Sequence, residues 1–90
     1  MGKAAVKIKI MPESPSVDLK NLEKEIEKAV SKNKGVQLKL EKHPVAFGLN
    51  SIIATFAWNE DSPTDDLEKS IKSIKGVSSI DIIDFRRAFG

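Results

Sequence analysis

The feature that most constrains the fold is a junction, Lys-Gly-Val, that occurs at the same point in each half of the chain. It lies in "NKGVQLKL" (33–40) and again in "IKGVSSID" (74–81). Each copy follows a segment with helical periodicity and precedes an alternating one, which predicts a helix end followed by a strand. A further alternating segment precedes each helix. Both halves therefore have the order strand, helix, strand.

Four segments alternate apolar and polar residues in the manner of half-buried strands. They span 4–10, 36–42, 51–58 and 77–85. The side chains predicted to face the core from the first three are Ala4, Val6, Ile8 and Ile10, then Val36, Leu38 and Leu40, then Ile52, Ala54, Phe56 and Trp58. Each strand thus has one packed side and one side left for solvent or a partner.

Two helices are predicted between these strands. The first begins after Asp18 as N-cap and ends at Gly35, which we expect to adopt the left-handed conformation. The second begins with Ser62 as N-cap and Pro63 at the first helical position, and it ends at Gly76. Their apolar stripes are Leu19, Leu22, Ile26, Ala29 and Val30 in the first, and Leu67, Ile71 and Ile74 in the second.

The order strand, helix, strand, strand, helix, strand predicts an α+β, ferredoxin-like βαββαβ sandwich. In this fold a four-stranded antiparallel sheet has both helices on one face. Ninety residues make one domain, spanning 1–90. The open face of the sheet, where such folds often bind partners, is predicted to carry Lys7, Lys9, Ile53, Thr55, Asp81 and Ile83.

The composition excludes several classes of function. The 15 basic and 13 acidic residues leave a net charge of only +2, which does not favour nucleic acid as a partner. Cysteine is absent, so there is no disulfide and no thiolate metal site. No apolar run approaches the roughly 20 residues of a membrane span, and the N-terminus lacks the apolar core of a signal peptide. We expect a cytoplasmic protein without a membrane contact.

Candidate catalytic residues are few. His43 is the sole histidine and has no serine or cysteine placed to form a triad. The acidic residues Glu60, Asp61, Asp65 and Asp66 are better explained by the entry to the second helix than by a metal site. The loop "MPESPS" lacks the arginine and glycine of an acylphosphatase phosphate cradle. We therefore expect no catalytic residues, no metal and no cofactor.

Two kinds of non-catalytic function remain open on the residues alone. RNA-recognition domains share this topology and stack bases on aromatic side chains of the open face. Here Phe56 and Trp58 are predicted to face the core, although a shift of one residue in the register would reverse that. A small RNA- or ribosome-binding module is therefore one alternative. A regulatory domain that dimerises through its open face is the other.

Two segments have no role in the predicted fold. The loop "HPVAFGLN" (43–50) carries apolar residues, including Phe47 before Gly48, where a short polar turn would suffice. They form either a plug over the sheet edge or a contact for a partner. The end "DFRRAFG" (84–90) carries Arg86 and Arg87, which are either part of a frayed terminus or cations able to reach a partner's phosphate or carboxylate site.

Three segments together resemble elongation factor 1-beta of the archaeal type: "IKIMPESPSVDLKNLEKEI", "HPVAFGLNSI" and "SIDIIDFRR". The resemblance covers essentially the whole chain. It implies a guanine-nucleotide exchange factor, not an enzyme with covalent chemistry, whose partner is the GTPase elongation factor 1-alpha. It also implies a chain that is monomeric when free and needs no cofactor.

The resemblance further implies which residues contact the GTPase. The aromatic residue in the loop after the second strand corresponds to Phe47, next to Gly48. The basic residue near the C-terminus corresponds to Arg87, with Arg86 as its neighbour. Eukaryotic relatives have a lysine next to last, whereas here Ala88, Phe89 and Gly90 follow Arg87. Both sites are expected to approach the Mg²⁺ and phosphates in the nucleotide pocket of the GTPase.

Overall fold

The computed structural model describes residues 3–87, apart from the side chains of Phe47 and Arg87. The elements are β1 (Lys3–Pro12), α1 (Leu19–Lys32), β2 (Val36–Pro44), a 3₁₀ turn (Ala46–Gly48), β3 (Asn50–Asn59), α2 (Asp65–Lys72) and β4 (Val77–Arg87). Neither helix in this part of the chain has the length and apolar character needed to cross a membrane.

The strands form one antiparallel sheet in the order β2-β3-β1-β4. This order, with β1 and β3 in the centre and both helices packed on one side, confirms the ferredoxin-like fold. The core lies between the helices and one face of the central strands, where four residues of β1 and four of β3 are buried with the stripes of α1 and α2. The buried core cluster on this side consists of Ala4, Val6, Ile8, Ile10, Leu22, Ile26, Ala29, Val30, Ile52, Ala54, Phe56, Trp58, Leu67, Ile71 and Val77.

The register of β3 against β1 confirms the predicted faces of the central strands. Val6 lies opposite Phe56 and Ile8 opposite Ala54, all on the helix side. Phe56 and Trp58 are only 2% and 4% exposed, and their rings meet edge to face with centroids 5.9 Å apart. The Trp58 indole N–H donates to the backbone oxygen of Ser62 at 3.0 Å. These aromatic side chains are therefore structural, and they are not available to stack bases.

The prediction for the first residue of β2 was wrong. Val36 pairs with Ala57 and Lys39 pairs with Thr55, so β2 has one more residue than β3 between these two pairs. This β-bulge turns Val36 onto the open face, where it is 46% exposed. Gln37, inside the bulge, has a φ of 58°, in the left-handed region. Beyond the bulge the prediction holds, because Leu38 and Leu40 pack against the core.

The end of α1 also differs from the prediction, which gave the left-handed conformation to Gly35. Lys34 adopts it instead, with a φ of 70°. The N–H groups of Lys34 and Gly35 donate to the oxygens of Ser31 at 3.0 Å and Val30 at 2.8 Å, the pair of bonds that closes a Schellman motif. Gly35 is required for another reason: a Cβ there would lie 2.5 Å from Val30 Cγ1.

The boundaries of α2 were predicted wrongly at both ends. The helix begins at Asp65 after Thr64, two residues later than Ser62 and Pro63 would place it. Ser62 instead belongs to a turn, since its N–H donates to the oxygen of Asn59 at 2.9 Å. At the other end the helix stops at Lys72, and Gly76, with a φ of 99°, lies in the following turn, in which the Val77 N–H donates to the Ile74 oxygen.

Candidate functional site

The open face of the sheet consists of the side chains that alternate with the core-facing ones. The pairing of the strands arranges them in rows across the sheet. From one end to the other, the rows are Val36–Ala57–Ala5–Arg86, then Lys39–Thr55–Lys7–Asp84, then Glu41–Ile53–Lys9–Asp81. Ile83, which is 46% exposed, is the extra residue of β4 between the second and third rows. The six residues predicted for this face all lie on it.

The connection from β2 to β3 has a fixed base. The Val45 N–H donates to the Leu49 oxygen at 2.8 Å, and the Leu49 N–H donates to the Ala46 oxygen at 3.3 Å. Below it, the hydroxyl of the fully buried Ser51 donates to the His43 oxygen at 3.1 Å. These bonds hold the two strand ends together, so the 3₁₀ turn is the only part of the connection without a strand partner.

The tip of the same connection points into open space. Gly48 has a φ of 75°, which a residue with a Cβ rarely adopts, and a Cβ built there would find no heavy atom within 4 Å. The backbone of Phe47 lies in the middle of this turn, and its side chain lies outside the described part. The choice between a plug and a partner contact therefore stays a prediction.

The second candidate pair lies at the end of β4. The strand continues beyond the predicted 77–85 to Arg87, because Arg86 pairs with Ala5 and Arg87 with Ala4. The Arg86 Nε lies 3.1 Å from Asp84 Oδ2, and its side chain is 80% exposed. Both arginines are thus anchored by sheet pairing, and the guanidinium of Arg86 stays accessible to solvent. The three residues after Arg87 lie outside the described part.

Phe47 and Gly48 are neighbours in the chain, as are Arg86 and Arg87, and the fold places these two pairs far from each other. The β2–β3 connection lies beyond Ile52, which is opposite Ile10, whereas Arg86 is opposite Ala5. Ile10 lies five steps along β1 from Ala5, and each step advances the chain by about 3.4 Å. The pairs are therefore at opposite ends of the sheet, at least about 17 Å apart along the strands.

The histidine and acidic residues considered as catalytic or metal-binding candidates lie on different parts of the molecule, with His43 at the end of β2 and Asp65 and Asp66 in α2. His43 Nε2 lies 3.7 Å from Glu41 Oε2, and both side chains are more than half exposed. Asp65 and Asp66 occupy the first turn of α2, where the helix dipole favours a negative charge. Within residues 3–87, no three histidine or acidic side chains are placed to hold a metal ion.

Residues 5–88 match the family model of the EF-1 guanine nucleotide exchange domain, which is nearly the whole chain. The chain belongs to this family. It is 39% identical over 89 residues to an Elongation factor 1-beta of Methanothermobacter thermautotrophicus, covering 97% of this chain and 98% of that protein. It is 35% identical to that of Natronomonas pharaonis, covering 91% and 93%, and 34% identical to that of Methanosarcina barkeri, covering 97% and 99%.

The family identified from three short segments is thereby confirmed for an EF-1 exchange domain of the archaeal type. These relatives are Elongation factor 1-beta proteins, and the family model describes a guanine nucleotide exchange domain. Among the residues of the open face, sequence reasoning missed the place of Val36. The bulge adds one residue to β2 but leaves its later alternation intact, so the sequence pattern carries no signal for it.

Proposed function

We propose that this protein promotes the exchange of GDP for GTP on elongation factor 1-alpha by perturbing the Mg²⁺ and phosphate site of the GTPase. The observation that carries the proposal is the match of residues 5–88 to the exchange-domain family. The protein acts in the cytoplasm as a monomeric single domain, 1–90, with no cofactor and no nucleic acid. Exchange requires only that contacts form and break, so no catalytic residue is needed.

Phe47 acts as a wedge between the elements of the GTPase that hold the Mg²⁺ and the phosphates. Two described features support this role. The base of its loop is fixed by backbone hydrogen bonds, which limits the entropy lost when the loop binds a partner. The space around the neighbouring Gly48 is open, so an approaching surface meets no obstacle there.

The arginines at the end of β4 compete for the position of the metal. An arginine keeps its positive charge at any physiological pH and presents several donors to phosphate or carboxylate oxygens. Pairing of Arg86 and Arg87 with β1 fixes their backbone positions relative to the sheet. A cation delivered at the metal's place weakens the coordination of Mg²⁺, after which GDP is held less tightly.

The separation of the two contacts determines how the GTPase is engaged. One partner that touches both must present a surface at least about 17 Å long in the strand direction. Binding of the factor and binding of nucleotide are coupled, so a factor that weakens GDP binding itself binds nucleotide-free GTPase more tightly. Loss of contacts worth about 4–5 kcal/mol speeds GDP release on the order of a thousandfold if all of it lowers the exit barrier.

The test is the release of a fluorescent GDP analogue from purified elongation factor 1-alpha of the matching source. We expect acceleration at sub-stoichiometric amounts of this protein, because an exchange factor turns over. A nucleotide-free preparation that rebinds the analogue serves as the control for an active GTPase. No acceleration of an active GTPase would overturn the proposed function and leave the fold and the family unaffected.

A further inference from the structure

A depression of about 480 Å³ lies on the open face at the same end of the sheet as Arg86. Its floor consists of small side chains on the two central strands, because Ala57 lies directly opposite Ala5. Val36 and Gln37, in the bulge of β2, border it on one side. Lys3 lines it near the start of β1.

The depression depends on an unfavourable backbone conformation. Without the bulge, Val36 would point towards the helices, and the β2 side of the depression would lose the Val36 side chain. The bulge places Gln37 in the left-handed region, which costs a residue with a Cβ on the order of 1 kcal/mol. Such conformations persist where the surrounding structure maintains them, and they are concentrated at binding sites.

The chemistry of the lining indicates what fits there. The floor and one side are apolar, so a hydrophobic side chain that inserts there loses contact with water. Among the described residues that line the depression, Lys3 carries the only charge, and none carries a carboxylate. Arg86 is next to Ala5, and its charge is offset by Asp84 at 3.1 Å. The complement is an apolar side chain that has an acidic group beside it.

We propose that this depression receives an apolar side chain from an acidic segment of elongation factor 1-alpha. The inference rests on the proposed function, since it takes the GTPase as the partner. The position supports it, because a GTPase that meets the arginines at the end of β4 is next to the depression. It adds a third contact surface, centred on Ala57, to the two at Phe47 and at the arginines.

The first test fills the depression. In Ala57→Leu the added methyl groups point to the open face and not to the core, so the fold is preserved. We expect the dissociation constant for nucleotide-free elongation factor 1-alpha, measured by titration calorimetry, to rise about tenfold or more, as for loss of a central interface contact. Asn21→Leu, on the exposed surface of α1 and away from every residue that lines the depression, is the matched control and is expected to bind normally.

The second test reverses the charge. Lys3→Glu places a like charge beside the proposed acidic segment, and we expect weaker binding by a factor of about three to ten, with a smaller effect at high salt. Lys24→Glu, on the exposed surface of α1, changes the net charge equally and serves as its control. Melting temperatures of all four variants show whether each is folded.

The outcomes separate this inference from the proposed function. If the wild-type protein binds and accelerates GDP release, and folded Ala57→Leu and Lys3→Glu do the same with unchanged affinity, the docking inference is wrong and the exchange function stands. If the wild-type protein binds without accelerating release, the function is wrong, and the affinities of the variants alone decide the inference. Absence of wild-type binding overturns both. Self-association of the wild-type protein that Ala57→Leu abolishes would assign the depression to a second copy and overturn the inference.

Discussion

Positions 34 and 35 show two different reasons why glycine is favoured at the end of a helix. Lys34 has the left-handed backbone conformation with a φ of 70°, and Gly35 has the close approach to Val30. The sequence predicted that a glycine was needed here, but not that its neighbour would adopt the conformation glycine favours. Both roles call for the same residue type, so only the backbone geometry distinguishes them.

This assignment predicts opposite effects for two neighbouring substitutions. Lys34→Gly removes a Cβ from a left-handed position and should raise the free energy of unfolding by about 0.5–1 kcal/mol. Gly35→Ala should lower it by more than about 1 kcal/mol, because the new Cβ would lie 2.5 Å from Val30 Cγ1. Urea unfolding measures both. A neutral Gly35→Ala would show that the junction relaxes freely.

Phe47 is the residue whose two interpretations make different predictions. As a partner contact, its replacement in Phe47→Ala should slow GDP exchange at least tenfold while the melting temperature changes by less than about 4 °C, as for a surface residue. As a plug, it would contribute to stability like other buried aromatic residues. A fall in melting temperature well beyond that limit, with exchange intact, would establish the plug.

At the scale of elements, the sequence correctly predicted the strands and helices, which depend on the periodicity of apolar residues. All four strands and both helices form in the predicted segments, apart from differences at their ends, because burial of one face imposes the periods of strands and helices. Asp18 was also predicted correctly as the N-cap of α1. Its carboxylate accepts from the backbone N–H groups of Lys20 at 3.0 Å and Asn21 at 3.4 Å. The residue type therefore predicts the helix start because its side chain itself makes the capping hydrogen bonds.

The cap is a further testable element. Asp18→Ala leaves two N–H groups at the start of α1 without a protein acceptor and should lower the free energy of unfolding by about 1 kcal/mol. Asp18→Asn, which keeps an acceptor oxygen, should lose less. Guanidinium unfolding followed by circular dichroism measures both. Equal losses in the two variants would show that charge and not capping is the source of the stabilisation.

The sequence failed at element boundaries and at long-range relations. Ser62 and Pro63 have the residue types of a helix start, yet Thr64 is the residue that precedes the helix. Ser62 is held in the turn before it, where its backbone carbonyl accepts a hydrogen bond from the Trp58 indole. The extra residue in β2 also could not be predicted from the sequence, because it is defined by the pairing of β2 with β3. The candidate contacts were located from local residues, whereas their placement at opposite ends follows only from the register.

For the whole molecule, the separation of Phe47 from Arg87 predicts additive effects. The two proposed contacts lie on one GTPase but at least about 17 Å apart, so they touch different residues of it, and the effects of contacts this far apart usually combine within about 0.5 kcal/mol. The double variant Phe47→Ala/Arg87→Ala should therefore slow GDP release by about the product of the two single effects. Stopped-flow fluorescence of the four proteins completes the cycle. A double variant no slower than the slower single variant would mean that the two contacts act as one unit.

The distance between the two ends of the sheet has a consequence for how such chains vary in length. An insertion into a turn, for example into the turn that contains Gly76, leaves this distance unchanged. Two residues inserted in each central strand would extend it by about 7 Å and move one contact off its target. We therefore expect homologous chains that serve the same partner to differ in their turns and to share the length of β1 and β3, which sets the distance between the two proposed contacts.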